Sequence, residues 1–265
     1  LSEYGEDVKV LAGGQSLVPT MNMRLARPAA IVDINLLPLS EIRSRNGGMH
    51  IGALVRQADA EREPRVAQTI PLLALVLPHV GHHQTRNRGT ICGSLAHADP
   101  SAEIPLVAVA LDAQIDVQSM RGSRRIAADV FFDSFFTTKL AADELVTGVS
   151  FPTRSTGFGY AFEEFALRHG DFAIAATACA VHVAADGKAE SISIVLGGVD
   201  ERPHRVNIDA WLHRVLTPSD INEIAQTASA AIDPPSDLRG TARYRRWLAQ
   251  GQVQRTLSRA LEDAR

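Results

Sequence analysis

Apolar and polar positions alternate in short blocks along the first half of the chain. Residues 8–11 form a brief β-like run that leads to Gly13-Gly14, and residues 30–34 form a second run, with Pro28 before it and Asn35 closing it. A strand, a glycine turn, a short helical piece and another strand fit this spacing. Residues 49–53 predict a further strand, and 54–61 carry apolar and polar side chains at helical spacing. The segment 71–80 reads as a helix opened by Pro71, whose missing N–H has no helical partner in a first turn, and ended by Gly81. The stretch 82–93 is polar and contains glycines, which predicts loop. Residues 102–111 are apolar enough for a buried helix, and 113–119 alternate as a half-buried strand does.

Around residues 151–159 the pattern gives way to Pro, Ser, Thr and Gly, which marks a linker and predicts two domains, 1–154 and 155–265. Beyond it, 172–185 and 191–196 read as strands, or as buried helix followed by strand, with Asp186-Gly187 as the turn between them. Residues 222–232 and 253–261 predict amphipathic helices. No repeat or low-complexity tract is visible.

Composition narrows the function classes. The 265 residues are 45% hydrophobic and 22% charged with a net charge of -3, so no basic surplus is present for gripping nucleic acid. No apolar run approaches the roughly 18 residues that span a bilayer, and no secretory signal pattern opens the chain, so no membrane span and a cytoplasmic location are expected. The opening at Leu1, without Met, reads as a trimmed start. With only Cys92 and Cys179, the chain has no disulfide framework and too few thiolates for an iron–sulfur cluster, which usually takes four.

Two constellations carry candidate chemistry. Ala12-Gly13-Gly14-Gln15-Ser16-Leu17 is a paired-glycine turn after an apolar strand; glycines reach φ > 0, point successive N–H groups into one concavity and admit a pyrophosphate closely. A plain tight turn is the commoner meaning of Gly-Gly alone. The second is Thr90-Ile91-Cys92-Gly93-Ser94, preceded by Arg86 and Arg88. Neither carries the G-x-G-x-x-G or G-K-[ST] pattern, which argues against a Rossmann domain or a P-loop and for a ligand clamped between two loops. The adjacent pair His82-His83 is rejected as a metal site, because neighbouring side chains diverge and no third ligand is spaced to join them.

The strings AGGQSLVPTMNMRLARPAAIVDI, TRNRGTICGSLAHADPSAEIPL and FALRHGDFAI resemble, in order and spacing, the FAD-binding medium subunit of the molybdenum hydroxylases, the xanthine dehydrogenase and carbon monoxide dehydrogenase family. The resemblance runs from Tyr4 through the chain, with a family-like C-terminal domain from about residue 160. It implies an α+β fold: a two-subdomain FAD-binding domain of the vanillyl-alcohol oxidase type, then a smaller domain of a three-stranded sheet packed with helices. It implies that residues 12–16 wrap the FAD pyrophosphate from one side and 90–94 from the other. The family reads T-I-G-G at the second loop, so Cys92 replaces a glycine and would be strained if its φ were positive. Cys92 reads as a small tolerated side chain rather than a redox thiol.

The resemblance places the acidic residue Glu103 on the flavin's ribityl chain or ring edge; by itself it reads as a first-turn helix carboxylate. Asp99 reads as an N-cap ahead of Pro100 at N1. His97 lies near the cofactor or is a hydrogen-bonded structural histidine. Arg168, Asp171 and Phe172 match the loop that approaches the isoalloxazine from the second domain, where they would tune or gate it. Glu163-Glu164 stand where relatives often carry a lysine, which alters the expected charge near the flavin. Ile31 to Ile34 would wall the adenine end or simply form a core strand.

The activity implied is modular. A large molybdenum-cofactor subunit hydroxylates substrate with oxygen from water, a small subunit's two 2Fe–2S clusters carry single electrons, and FAD on this chain collects them for an external acceptor, in a heterotrimer or its dimer. The residues leave one alternative open, a free-standing FAD-dependent oxidoreductase of the same fold.

Overall fold

The structure, a computed structural model, describes residues 1–3, 5–45, 47–154 and 156–265. Tyr4, where the resemblance begins, and Ser155, the first residue of the expected second domain, lie outside the described residues. Strand β1 (Val8–Leu11) enters the glycine turn, helix α1 (Leu17–Asn22) follows, and β2 (Ala30–Asp33) lies parallel to β1. This strand–turn–helix–strand unit is the one read from the sequence.

A larger unit follows. Strands β3 (Ile42–Arg45) and β4 (Gly48–Gly52) precede helices α2 (Gln57–Arg62), α3 (Pro64–Thr69), α4 (Pro71–Val76), α5 (His83–Arg86), α6 (Ile91–His97) and α7 (Glu103–Ala110). Then come β5 (Gln114–Ser119), β6 (Gly122–Ala127), α8 (Ala128–Phe131), the short pair β7 (Phe132–Ser134) and β8 (Thr137–Thr138), and β9 (Leu145–Pro152). The strands form an antiparallel sheet in the order β3-β4-β9-β5-β6. Pro71 opens α4 as expected, but the helix tightens to a 3-10 turn at Leu77–His79, where Pro78 cannot donate a helical hydrogen bond. The stretch 82–93, expected as loop, holds α5 and the start of α6.

The second domain is an antiparallel sheet of β10 (Phe158–Phe165), β11 (Ala175–Val183) and β12 (Ala189–Gly197), the three-stranded sheet that the resemblance implies, with the two-residue β13 (His204–Arg205) at its edge. Helices α9 (Pro218–Ala231) and α10 (Ala242–Asp263) cover one face. Thr217 caps α9 in a capping box with Asp220, which explains a start four residues before the apolar periodicity begins.

Side chains on this sheet alternate between two cores. Ala161, Ala175, Cys179, Val181, Ile194 and Leu196 pack with α9 and α10, whereas Phe162, Ala176, Ala178, Ala180 and Val195 join the core of the first domain. Helix α7 runs along that second face, against β11 and β12. Every residue of α7 is buried, so beyond Glu103 in its first turn its sequence is apolar on all sides rather than amphipathic.

Candidate functional site

The loop after β1 is built from backbone. Gly14 has φ +74°, a conformation that disfavours any side chain, and among the described residues the amides of Gly13, Gly14, Gln15 and Ser16 donate to no protein acceptor. A Cβ on Gly13 would lie 2.3 Å from the Arg88 carbonyl oxygen and 2.8 Å from Gly89 Cα, so this loop and the segment before α6 touch backbone to backbone. Arg56 fastens them: its guanidinium donates to the Arg88 carbonyl at 2.5 Å and to Asn35 Oδ1 at 2.7 Å. Asn35 in turn donates to the Ala12 carbonyl at 3.0 Å. Gln57 completes the clasp, its amide donating to the Gly89 carbonyl at 2.8 Å.

Arg56, Asn35 and Gln57 carry no motif that predicts a role here; in the sequence Asn35 marks only the end of a strand. Arg86, one of the two expected arginines, turns away: it is buried, bonds Glu61 at 2.8 Å and donates to the Val80 and Gly81 carbonyls. Arg88 stays exposed and is close enough for its charge, after burial, to hold Arg56 below its ordinary pKa. Two cations therefore sit together at the clasp.

The second expected loop is a helix entrance. Thr90 is extended and caps α6, accepting from the Gly93 amide at 2.9 Å, so Ile91 to Ser94 occupy the first helical turn. Cys92 thus has helical geometry, and the strain conditional on a positive φ does not arise. Its thiol is buried, 3.9 Å from the Ile51 carbonyl, and burial holds it far above the ordinary range, as it does Cys179. Neither thiol should react with a disulfide reagent in the native chain, and both should react in urea. A fast native reaction in a thiol titration would contradict this packing.

Helix α6 ends at Ala98 in the left-handed conformation, φ +52°. His97, in its last turn, lies 5.1 Å ring to ring from Phe136; burial depresses its pKa although Asp99 opposes the shift. Asp99 is not the N-cap of α7. Its carboxylate accepts from the Ser101 amide at 2.8 Å in a separate turn, Ala102 is the N-cap, and Pro100 lies outside the helix.

Glu103 occupies the first turn of α7, as expected, but with only 6% of its surface exposed. Burial pushes its carboxyl up to about 8, and the Glu164 and Asp99 carboxylates add to the rise. The folded chain therefore keeps a proton that the unfolded chain releases above its ordinary value of 4.5. Stability from this group is present below that value and is lost as pH rises through about 8. In the flavin-free chain, Glu103→Gln should flatten the fall in urea midpoint over this interval; an unchanged slope would place the proton elsewhere.

The loop of Arg168, Asp171 and Phe172 is tied by the Asp171 amide to the Arg168 carbonyl at 3.1 Å, with Gly170 at φ +84°. Gly170 packs on the segment that leads into α5: a Cβ there would lie 2.6 Å from His82 Nδ1. Arg168 is exposed and Phe172 is 51% exposed. The two glutamates before this loop face opposite ways along β10. Glu163 pairs with Arg255 of α10 at 2.9 Å, and Glu164 turns to the first domain, where His79 Nδ1 lies 3.1 Å from its Oε1. Only Glu164 bears on the site.

The clasped loops fit the pyrophosphate of a flavin adenine dinucleotide. Amides without acceptors, two arginines beside them, and a backbone approach that a single Cβ at residue 13 would block are what a diphosphate ester held by main chain requires. Ile31, within β2, is exposed and Ile34, just after it, is buried, so of these two isoleucines only Ile31 is free to meet a ligand.

Comparison with known proteins agrees over the full length. The family described as FAD binding domain in molybdopterin dehydrogenase matches residues 1–154, and the CO dehydrogenase flavoprotein C-terminal domain matches residues 160–260. The 6-hydroxypseudooxynicotine dehydrogenase complex subunit alpha of Paenarthrobacter nicotinovorans is 40% identical over 272 residues, covering 100% of this chain and 90% of its own. Carbon monoxide dehydrogenase from Hydrogenophaga pseudoflava, solved without the Mo-pyranopterin moiety of its cofactor, superposes with a TM-score of 0.96 at 34% identity, over 99% of this chain and 92% of that one. Quinoline 2-oxidoreductase from Pseudomonas putida 86 gives 0.92 at 35% identity, over 98% and 91%.

Proposed function

This chain belongs to the FAD-binding medium subunits of the molybdenum hydroxylases, and from that premise we propose that it relays electrons from the 2Fe–2S clusters of a partner subunit to an external acceptor. The clasp of two loops around bare amides carries the reading. Residues 12–17 and 90–94 hold the pyrophosphate, with Arg56 and Arg88 neutralising it. His97, Asp99 and Glu103 line the path from there toward the ribityl chain and ring. Arg168, Asp171 and Phe172 close the ring's side from the second domain. When bound, FAD supplies a centre that accepts electrons singly and releases them in pairs. The chain's own residues bind and orient it and exclude water from all but one edge.

The partners are a large molybdenum-cofactor subunit and a small 2Fe–2S subunit, in a heterotrimer or its dimer, in the cytoplasm, where the two unpaired thiols stay reduced. No helix among the described residues is long and apolar enough to cross a membrane. The substrate is chosen by the large subunit: relatives of similar identity belong to proteins named for a nicotine derivative, carbon monoxide and quinoline. Purification from the native source, with a visible spectrum and a gel, tests the whole reading. Flavin and cluster absorbance with two co-purifying chains is expected, whereas turnover of a small molecule by this chain alone would replace the relay with a free-standing flavoenzyme.

A further inference from the structure

A relay of this kind has a proton problem. Two-electron reduction of a flavin to its neutral reduced form takes up two protons, and iron–sulfur clusters deliver electrons alone, so each such turnover must draw protons through the protein and return them when the acceptor takes the electron pair. The domain interface holds a row of groups suited to the task.

Glu164 lies on the β10 face that turns to the first domain, in register with Ala176 and, through it, Gly197. Gly197 packs on Leu106 of α7; a Cβ there would be 3.5 Å from a Leu106 methyl. Leu106 is one turn beyond Glu103 on the same helix face, and Glu164, two strands across the sheet from Gly197, is close enough for its charge to act on the Glu103 carboxyl. The Glu164 side chain is only 7% exposed; Oε1 meets His79 Nδ1 at 3.1 Å, and Oε2 is buried without a partner. A buried carboxylate oxygen with no donor is costly unless a proton or a transient donor visits it. At the outer end, the His79 side chain is 38% exposed. It packs on the Phe162 ring at 5.1 Å and lies 6.0 Å from the His169 ring. Among the described residues Asp99, on which His97 and Arg239 act, also bears on Glu103 at the inner end of this row.

We propose that His79, Glu164 and Glu103 form a proton inlet along the domain interface, leading from solvent to the flavin. The inlet rests on the relay reading above. A proton taken by the exposed imidazole passes from Nδ1 to Glu164 Oε1; Glu164 releases one from Oε2, which has no fixed partner, through a transient water to Glu103, and Glu103 delivers it at the flavin. Each transfer leaves the donor ready for the next proton, two protons enter with every two electrons, and the direction reverses on reoxidation. The raised Glu103 carboxyl suits a group that holds a proton at neutral pH and gives it up on demand.

The test uses the FAD-loaded chain, reduced by the methyl viologen radical cation, which gives up electrons without releasing protons, in weak buffer with a pH-indicator dye, so that flavin bleaching and proton uptake are followed separately. The wild type should take up protons as fast as it bleaches. Glu164→Gln and His79→Ala should bind FAD normally yet take up protons about 100-fold more slowly, and added imidazole should restore His79→Ala, which a purely structural role would not allow. Wild-type uptake in either variant, or no rescue by imidazole, would overturn the inlet while leaving the relay intact. An independent readout needs no flavin: infrared difference spectra of the FAD-free chain across about pH 8 should show a protonated carboxyl that Glu103→Gln removes. Its absence in the wild type overturns the inlet as well. A chain that binds no FAD would instead overturn the function itself.

Discussion

Gly13→Ala should fold and purify almost without flavin. The added methyl would sit 2.3 Å from the Arg88 carbonyl oxygen and 2.8 Å from Gly89 Cα, and neither is the free end of a side chain that can swing aside. The two loops must therefore part. Overpacking of this kind costs about 1–3 kcal/mol, which corresponds to FAD binding weakened about 10- to 100-fold if the strain falls on the clasp. Gly14→Ala meets only the Leu11 and Val18 side chains, at 3.2 Å, but must adopt φ +74°, so a smaller loss of about 1–2 kcal/mol is expected. Fluorescence titration of the stripped chains with FAD measures both. A Gly13→Ala chain that binds FAD like the wild type would show that the close approach of the loops is not what forms the site.

Arg245→Met should be the most damaging substitution away from the flavin. Arg245, at the start of α10, has a side chain only 4% exposed, and it gathers the end of the second-domain sheet. One nitrogen donates to the carbonyls of Ile174 and Gly198 at 2.6 and 2.8 Å, and another meets both Asp237 oxygens at 2.9 and 2.8 Å. Methionine fills much of the volume but leaves two carbonyls without donors, which should cost about 3 kcal/mol. Asp237→Asn should cost less, because that carboxylate is 47% exposed and water can replace its partner. Urea unfolding of the full chain compares the two; a shift below about 0.5 kcal/mol for Arg245→Met would remove Arg245 from the framework of the domain.

The sequence revealed the elements whose side chains follow one rule throughout. The strand, glycine turn and strand of the first unit, the proline-opened α4, the largely apolar α7 and the Asp186-Gly187 hairpin were all legible. Strand β6 was not: its Gly-Ser-Arg-Arg start is exposed on both faces and leaves no alternation to detect. Strand β10 was hidden because its two faces meet different surroundings, Phe162 and Glu164 at the first domain, Glu163 and Phe165 toward α10. At the site, glycines announced the loops, but their fastening came from Asn35 and Arg56, 21 residues apart. No local pattern joins them. Asp99 misled for a different reason: Asp-Pro resembles a helix start, and here the same side-chain acceptor closes a turn just before one.

The alanine face of β11 also sets the terms on which this protein can be divided. Ala176, Ala178 and Ala180 lie against the first domain's core, so cutting the chain near residue 155 would expose a flat apolar surface on one fragment and uncover α7 on the other. The halves are separable as sequences but not as soluble objects. Chimeras exchanging the second domain between relatives should succeed only when those three positions and the facing side of α7 are exchanged together, which makes this seam, rather than the linker, the unit of recombination.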